Sequence, residues 1–400
     1  MPVNVLLLGT LTSDAQNEKL LSFGVRPAPA DIVQRYLIEG LCANERVESV
    51  NAITSPRISP CHKNKIKKVD SSSFEIKKCA VESVGFLNFP AFAFYQREKR
   101  LVLAAKKWAK QNVGKETLVL IYSMHSPFLR AASKIKKILP NACIALVVPD
   151  LPQYMGHANR LKRILKNFDR KRIDRYMECV DKYVLYTKYM AEYFGLEEDQ
   201  WCVLEGLIDT SKINLEEREA PKQRICLYAG SLLKQYALDQ LIVAFEKADV
   251  DAELHLYGNP FDAEVLMQEH ADCKKTKYMG VLPQQAVFEK MKEASLLVNP
   301  RPSTLELTKY SCPSKTFEYM ASGTPVLMAK LPGIPEEYHP YLYFFEREDE
   351  EGFVEAFERL LHLDRQELVD KGKAAAEFLV ANKGSEKQVA ELLDFCLGRL

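Results

Sequence analysis

The seventeen glycines of this chain are so widely spaced that it has neither a G-x-G-x-x-G fingerprint nor a G-x-x-x-x-G-K-[ST] phosphate loop. H-E-x-x-H and G-x-S-x-G are missing too, and the seven histidines, at 62, 125, 157, 255, 270, 339 and 362, form no ligand-spaced set. Zinc-protease, lipase and zinc-hydrolase readings therefore lose their support. Ten cysteines are scattered without any C-x-x-C, which fits reduced, cytosolic thiols better than a disulfide framework. No apolar run approaches the length that crosses a bilayer, so membrane contact is expected only at a surface. The opening Met1 to Gly9 has no basic start and reads as a first buried strand, not a signal peptide. A net charge of +1 gives no reason to expect nucleic acid as a partner.

What is present is a chain of 400 residues, 47% hydrophobic and 27% charged, which suits two domains each burying its own core. Apolar runs of strand length alternate with segments of helical period, the pattern of a parallel α/β architecture. The first series has strands near Val3 to Gly9, Leu118 to Tyr122, Cys143 to Val148 and Tyr183 to Tyr186. Its helices lie near Pro29 to Cys42, Phe128 to Leu139 and Ala158 to Glu178. Asp209 to Gln223 is polar and aperiodic, as a linker would be. A second series follows through Ile225 to Ala229, Glu253 to Tyr257, Lys277 to Met279, Leu296 to Asn299 and Pro325 to Met328. The expected domains are 1–208 and 209–382, with a final helix in 383–400 packing back towards the first.

The segment Pro313 to Pro325 reads as a short helix with Pro313 at its first position and Gly323 as its stop. Its amino end offers unpaired N–H groups and a positive dipole to an anion, and Lys315 adds a full charge. Glu318 lies on the same face about one turn deeper, where a carboxylate can accept the two hydroxyls of a ribose. Lys315 and Glu318 also fit an ordinary surface pair, so the rest of the chain has to decide. In open parallel sheets, ligands bind beyond the carboxyl ends of strands. In the second half those loops open with Gly230-Ser231, Gly258, Gly280-Val281 and Pro300-Arg301, and Lys234 is a further candidate phosphate contact.

Several of these stretches resemble, in order, the motifs of a known family. They are Leu227 to Leu232, Leu256-Tyr257-Gly258, Tyr278 to Val281, Leu297 to Arg301 and Pro313 to Pro325. They look like the retaining glycosyltransferases of the GT-B fold and the family 4 type, especially bacterial enzymes of surface polysaccharide synthesis. In the first half, Ile121 to Pro127 and Val148 to Pro152 are similar to acceptor-side loops. The resemblance implies two Rossmann-like domains facing a cleft, with the second holding a nucleotide diphosphate sugar, a UDP-sugar by expectation. It makes Glu318 the ribose ligand and adds Gly230, Ser231, Lys234, Tyr257, Gly258, Val281, Arg301, Ser314 and Lys315 as donor contacts.

Two departures from the family pattern stand out. Where the family places a sugar-facing Glu, this chain has Tyr310, so Glu306 or backbone amides around Ser311 and Cys312 would take over. The usual Arg and Lys of the first loop correspond to Ser231 and Tyr236, which shifts the phosphate role to Lys234 and Lys315. Lysines and a helix end would then neutralise the diphosphate without metal or cofactor. Retention would have the acceptor attack from the leaving-group side. Asp150 and His125 are the first-domain candidates for orienting sugar or acceptor. The acceptor itself is expected to be a glycan or a lipid-linked glycan. Residues 158–175 carry Leu161, Ile164, Leu165 and Phe168 on one stripe with basic residues around it. Such a helix could rest on an anionic inner leaflet or simply face its charges to water. Two rival readings share the fold: a nucleotide-sugar epimerase and a non-catalytic sugar-nucleotide-binding subunit.

Overall fold

Val3, Val5, Leu6, Leu7 and Leu8 are fully buried, so the first strand is covered on both faces, as a central parallel strand must be. The computed structural model describes every residue except 1, 24, 26–28, 91, 152–159, 211, 212, 214, 216–218, 313, 399 and 400, and leaves aside the side chains of 29, 62, 160–168 and 314. The described residues form two compact units, Met1–Ile208 with Ser385–Leu400, and Asp209–Gly384.

The strands of the first unit are β1 (Val3–Gly9), β2 (Val47–Thr54), β3 (Lys68–Val69), β4 (Ser72–Ile76), β5 (Cys79–Ser83), β6 (Phe86–Leu87), β7 (Thr117–Tyr122), β8 (Cys143–Val148), β9 (Lys182–Leu185) and β10 (Trp201–Val203). Its main sheet runs β10-β9-β8-β7-β1-β2-β5-β4. Every pair in it is parallel except the β4–β5 hairpin. Helices Pro29–Ala43, Phe92–Gln111, Ser126–Lys136 and Arg160–Met177 belong to this unit. The last helix, Ser385–Leu397, completes its core: Val389, Leu392, Leu393 and Phe395 pack in one cluster with Val5, Leu7, Leu37 and Leu41. Gly40 is what lets helix Pro29–Ala43 approach so closely, since a Cβ there would lie 2.6 Å from the Ser385 carbonyl oxygen.

The second unit has β11 (Ile225–Ala229), β12 (Glu253–Tyr257), β13 (Thr276–Gly280), β14 (Leu296–Asn299), β15 (Val326–Met328) and β16 (Tyr343–Phe344). They form one all-parallel sheet in the order β13-β12-β11-β14-β15-β16. Helices Leu238–Lys247, Pro260–Glu269, Gln284–Glu293 and Ser314–Ala321 separate successive strands. The order reverses between β11 and β14, where Leu227 pairs with Leu297 and both strands end at Ala229 and Asn299. This is the switch point at which a doubly wound sheet opens a crevice for a ligand.

The expected strand near Tyr183 to Tyr186 runs one residue earlier, and the expected helix from Phe128 begins at Ser126, with Pro127 in its first turn. Among the described residues, no helix is long and apolar enough to cross a membrane.

Candidate functional site

Helix Ser314–Ala321 brings Lys315 and Glu318 to the switch point. Its stop is Gly323, whose φ of +70° is a left-handed conformation that a side chain would strain. One turn further along, Tyr319 is fully buried and locks the helix to β11: the Ala229 amide donates to its hydroxyl at 2.9 Å. Burial of the phenol pushes its pKa far above the usual value, so it stays a neutral anchor.

Lys315 lies directly over Gly230. A Cβ on that glycine would sit 1.5 Å from the Lys315 Nζ, so the ammonium occupies the space that only glycine leaves free. The same Nζ donates to the Tyr228 hydroxyl at 3.4 Å and stands 4.8 Å from the centre of its ring. Tyr228 in turn donates to the Ser231 carbonyl at 2.8 Å, fixing the loop after β11. Burial, then the positive charge of Arg301, lower the Lys315 pKa to about 8, while Glu318 pulls it upward. Glu318 is raised above the usual carboxyl range by burial, against the pull of Lys315. A desolvated cation repelled by a second cation is arranged to receive a negative ligand.

Arg301, two residues beyond β14, supplies the second charge. Its guanidinium stacks 4.8 Å over the Tyr236 ring and donates to that hydroxyl at 3.4 Å, while its buried Nε has no protein partner. Tyr236 thus holds a cation in place instead of contributing one. Gly258 closes the floor: its amide donates to the Gly280 carbonyl, and a Cβ on it would lie 2.3 Å from the Gly230 carbonyl oxygen. Tyr257 is buried and accepts the Gly230 amide through its backbone carbonyl at 2.8 Å.

Gly230, Tyr257, Gly258, Arg301, Lys315 and Glu318 are therefore gathered in one place. Ser231 is exposed at its rim, and Val281 is exposed beyond the edge strand β13. The Ser314 side chain and Pro313 lie outside the described residues. Lys234 does not join the cluster: it is exposed and paired with Glu269, with Asp239 as its other electrostatic partner. Glu306 heads the short turn Glu306–Lys309 and is exposed. Asp239, Glu269 and His270 are the one carboxylate and histidine group close enough together to hold a metal among the described residues. They are already occupied, by the Lys234–Glu269 pair and by the 3.0 Å contact of His270 with Asp239. One Asp-x-Asp triplet exists, Asp249-Val250-Asp251, but it precedes β12 and so lies at the opposite end of the sheet from the crevice.

In the first unit, His125 immediately precedes helix Ser126–Lys136 after β7, and Asp150 follows β8. Burial and then the charges of Arg57 and Arg97 lower the His125 pKa to about 3. Its imidazole is neutral at working pH, and its carbon-bound ring proton should show no titration between about pH 5 and 8 by NMR. A midpoint inside that window would place His125 in a more open, less positive site. Asp150 is exposed over more than a third of its surface, yet the protein around it raises its carboxyl pKa, with Arg57 opposing. Arg57 and Arg97 were not singled out by sequence. The only signal was position, because Arg57 follows a strand whose polar content hides it.

The basic helix forms as Arg160–Met177, but the side chains of its expected apolar stripe, Leu161, Ile164, Leu165 and Phe168, all lie outside the described ones. Of its later basic residues, Arg170 and Lys171 are exposed, whereas Arg172 pairs with the buried Glu98 and stacks 5.1 Å over Phe94.

The sheet order, the helix end over a glycine loop and the two cations make the second unit a Rossmann-like unit whose crevice is electrostatically suited to an anion. Residues 223–363 match the family model described as glycosyl transferases group 1. Solved structures extend the likeness to the whole chain. The lipopolysaccharide outer core galactosyltransferase WaaB is 14% identical, with a TM-score of 0.63 and 100% of both chains covered. Anabaena HepE in complex with UDP and glucose is 12% identical, with a TM-score of 0.62 and 100% of both chains covered. An E. coli trehalose-6-phosphate structure bound with UDP-2-fluoro glucose is 9% identical, with a TM-score of 0.62 over 98% of this chain and 99% of that one. No curated protein matches by sequence. The fold is GT-B, and the match over residues 223–363 supports a glycosyltransferase.

Proposed function

We propose that the protein transfers a sugar from a nucleotide diphosphate donor, a UDP-sugar, to a glycan or lipid-linked acceptor in surface polysaccharide synthesis. The observation that carries this reading is the seat of the Lys315 ammonium over Gly230, with Arg301 and Glu318 acting on it electrostatically. The UDP and UDP-sugar complexes among the similar structures agree with it.

In this scheme the bond between the anomeric carbon and the phosphate oxygen breaks, and its electron pair leaves with the diphosphate. Lys315, Arg301 and the amides opening helix Ser314–Ala321 stabilise that growing charge in a partly desolvated site. Glu318 accepts hydrogen bonds from the ribose hydroxyls and so fixes the nucleoside. The acceptor hydroxyl attacks from the face the diphosphate leaves, a phosphate oxygen takes its proton, and configuration is retained. No metal is required by this charge arrangement. Family 4 membership and the family's mode of donor binding belong to the same proposal. So do the domain division 1–208, 209–382 and 383–400 and a cytoplasmic site of action at the inner membrane face.

UDP should raise the melting temperature with concentration, since a ligand held by the folded state at a hundredfold above its Kd adds about 2.7 kcal/mol. Glu318→Ala should remove most of that shift. An equal shift in the variant would take the ribose role away from Glu318, and no shift in either chain would overturn the donor assignment.

A further inference from the structure

The carboxyl edge of the first sheet holds more positive charge than its neighbours neutralise. Arg97, on helix Phe92–Gln111, reaches to the end of β2, where its Nε donates to the Ser55 hydroxyl at 3.1 Å and its Nη2 to the Ser55 carbonyl at 3.4 Å. Its guanidinium stacks 5.0 Å over Phe86. No carboxylate pairs with it among the described residues, and the charge that acts on it most is another cation, Arg57. Burial together with Arg57 lowers its pKa to about 10, an unusual state for a guanidinium. Arg57 is exposed, two residues beyond Ser55, and has no ion pair of its own among the described residues.

The contrast with the adjacent acid is informative. Glu98, next to Arg97 in sequence, is buried and is shared by Arg130 and Arg172, so this region pairs its charges where pairing is structural. The Arg57 charge acts on the Asp150 carboxyl, but desolvation by the surrounding protein outweighs it and works against ionisation. Neutral His125 lies within reach of both arginine charges. All four residues follow, or are held at, the carboxyl ends of β2, β7 and β8, where parallel sheets take ligands. A half-buried guanidinium stacked on an aromatic ring and left without an acid is costly unless an anion completes it.

We propose that Arg57 and Arg97 form a second anion site, which binds a phosphate or pyrophosphate group carried by the acceptor. Two neighbouring guanidiniums suit a dianion, with Asp150 facing the acceptor hydroxyl side of the group instead of its charge. This rests on the transferase reading in assigning the ligand to the acceptor, while the anion site itself does not depend on it. The phosphate can come from a soluble sugar phosphate or from the headgroup of a lipid carrier.

Isothermal titration of inorganic pyrophosphate into the full chain, held in saturating UDP to fill the second unit's cluster, tests the site. Arg57→Ala and Arg97→Lys should each weaken binding about tenfold or more, the size expected for losing a charge-assisted contact. An unchanged melting temperature in Arg57→Ala, whose side chain is exposed, shows that the loss is local. If UDP fails to bind, the donor reading falls, and the same titration in the Lys315→Ala chain still decides the anion site. Affinity within twofold of the parent in both arginine variants overturns the proposal. Farnesyl diphosphate binding more tightly than glucose 6-phosphate assigns the lipid source, and the reverse order assigns the soluble one. Both ligands must lose affinity in Arg57→Ala.

Discussion

Replacing Lys315 by alanine should lower turnover by about 10²- to 10³-fold, the loss seen when a preorganised donor to a developing anion is removed. The variant should fold, because the side chain caps a cleft and anchors nothing except the Tyr228 hydroxyl. Its pH dependence is the sharper test. In the unliganded protein the Lys315 pKa is about 8, against an ordinary value of 10.5. Between those values the unfolded chain binds the extra proton, so this residue makes folding stability rise with pH there, and its cost is fully present below about pH 8. Binding behaves in the opposite sense. A diphosphate stabilises the ammonium, so binding above pH 8 takes up a proton and affinity falls by up to about tenfold per pH unit. Calorimetry at about pH 8.5 in buffers of different ionisation enthalpy measures that proton directly. Zero uptake, or the same pH profile in Lys315→Ala, would separate Lys315 from the phosphates.

The second large effect is expected from the smallest possible change, Gly230→Ala. The added methyl would overlap the Lys315 Nζ at 1.5 Å and its Cε at 2.5 Å, the Tyr228 hydroxyl stands close at 3.3 Å, and the Gly230 φ of +157° adds backbone strain. The flexible lysine must therefore give way, and the ammonium leaves the anion position. Turnover should fall about as far as in Lys315→Ala, and combining the two should cost no more than either alone. Such non-additivity is the mark of two changes that remove one interaction. Losses that multiply in the double variant would mean that Gly230 serves some other purpose, and an active Gly230→Ala enzyme would place Lys315 elsewhere during catalysis.

Much of the second unit could be read from sequence because several of its strands are short, mostly apolar runs closed by glycine or proline. Ile225–Ala229 and Leu296–Asn299 are almost entirely buried, so composition alone marks them. The helix holding Lys315 and Glu318 was legible for a different reason, its stop at Gly323 being a backbone requirement written in one residue. Side-chain partners were not legible. Lys234 turns to Glu269, and Arg301 takes Tyr236 as its platform, both through contacts between distant positions that no local pattern encodes. The first unit hid more. Strand Val47–Thr54 carries an exposed Glu48 and half-buried Ser49 and Asn51, and Asn51 accepts a bond from the Trp108 indole at 3.0 Å. A strand so mixed in polarity does not announce itself, and the arginine that follows it went unnoticed with it.

The helix Ser385–Leu397 has a further consequence for how the chain matures. Val389, Leu392, Leu393 and Phe395 fill the interior that β1 begins, and Arg46 is tied to the same helix through Asp394 and the Ala390 carbonyl. A ribosome must therefore translate the whole 209–384 segment before the earlier unit can receive its last layer. Until then the nascent amino-terminal half exposes an oily groove beside Leu37 and Leu41, a surface on which a chaperone could wait.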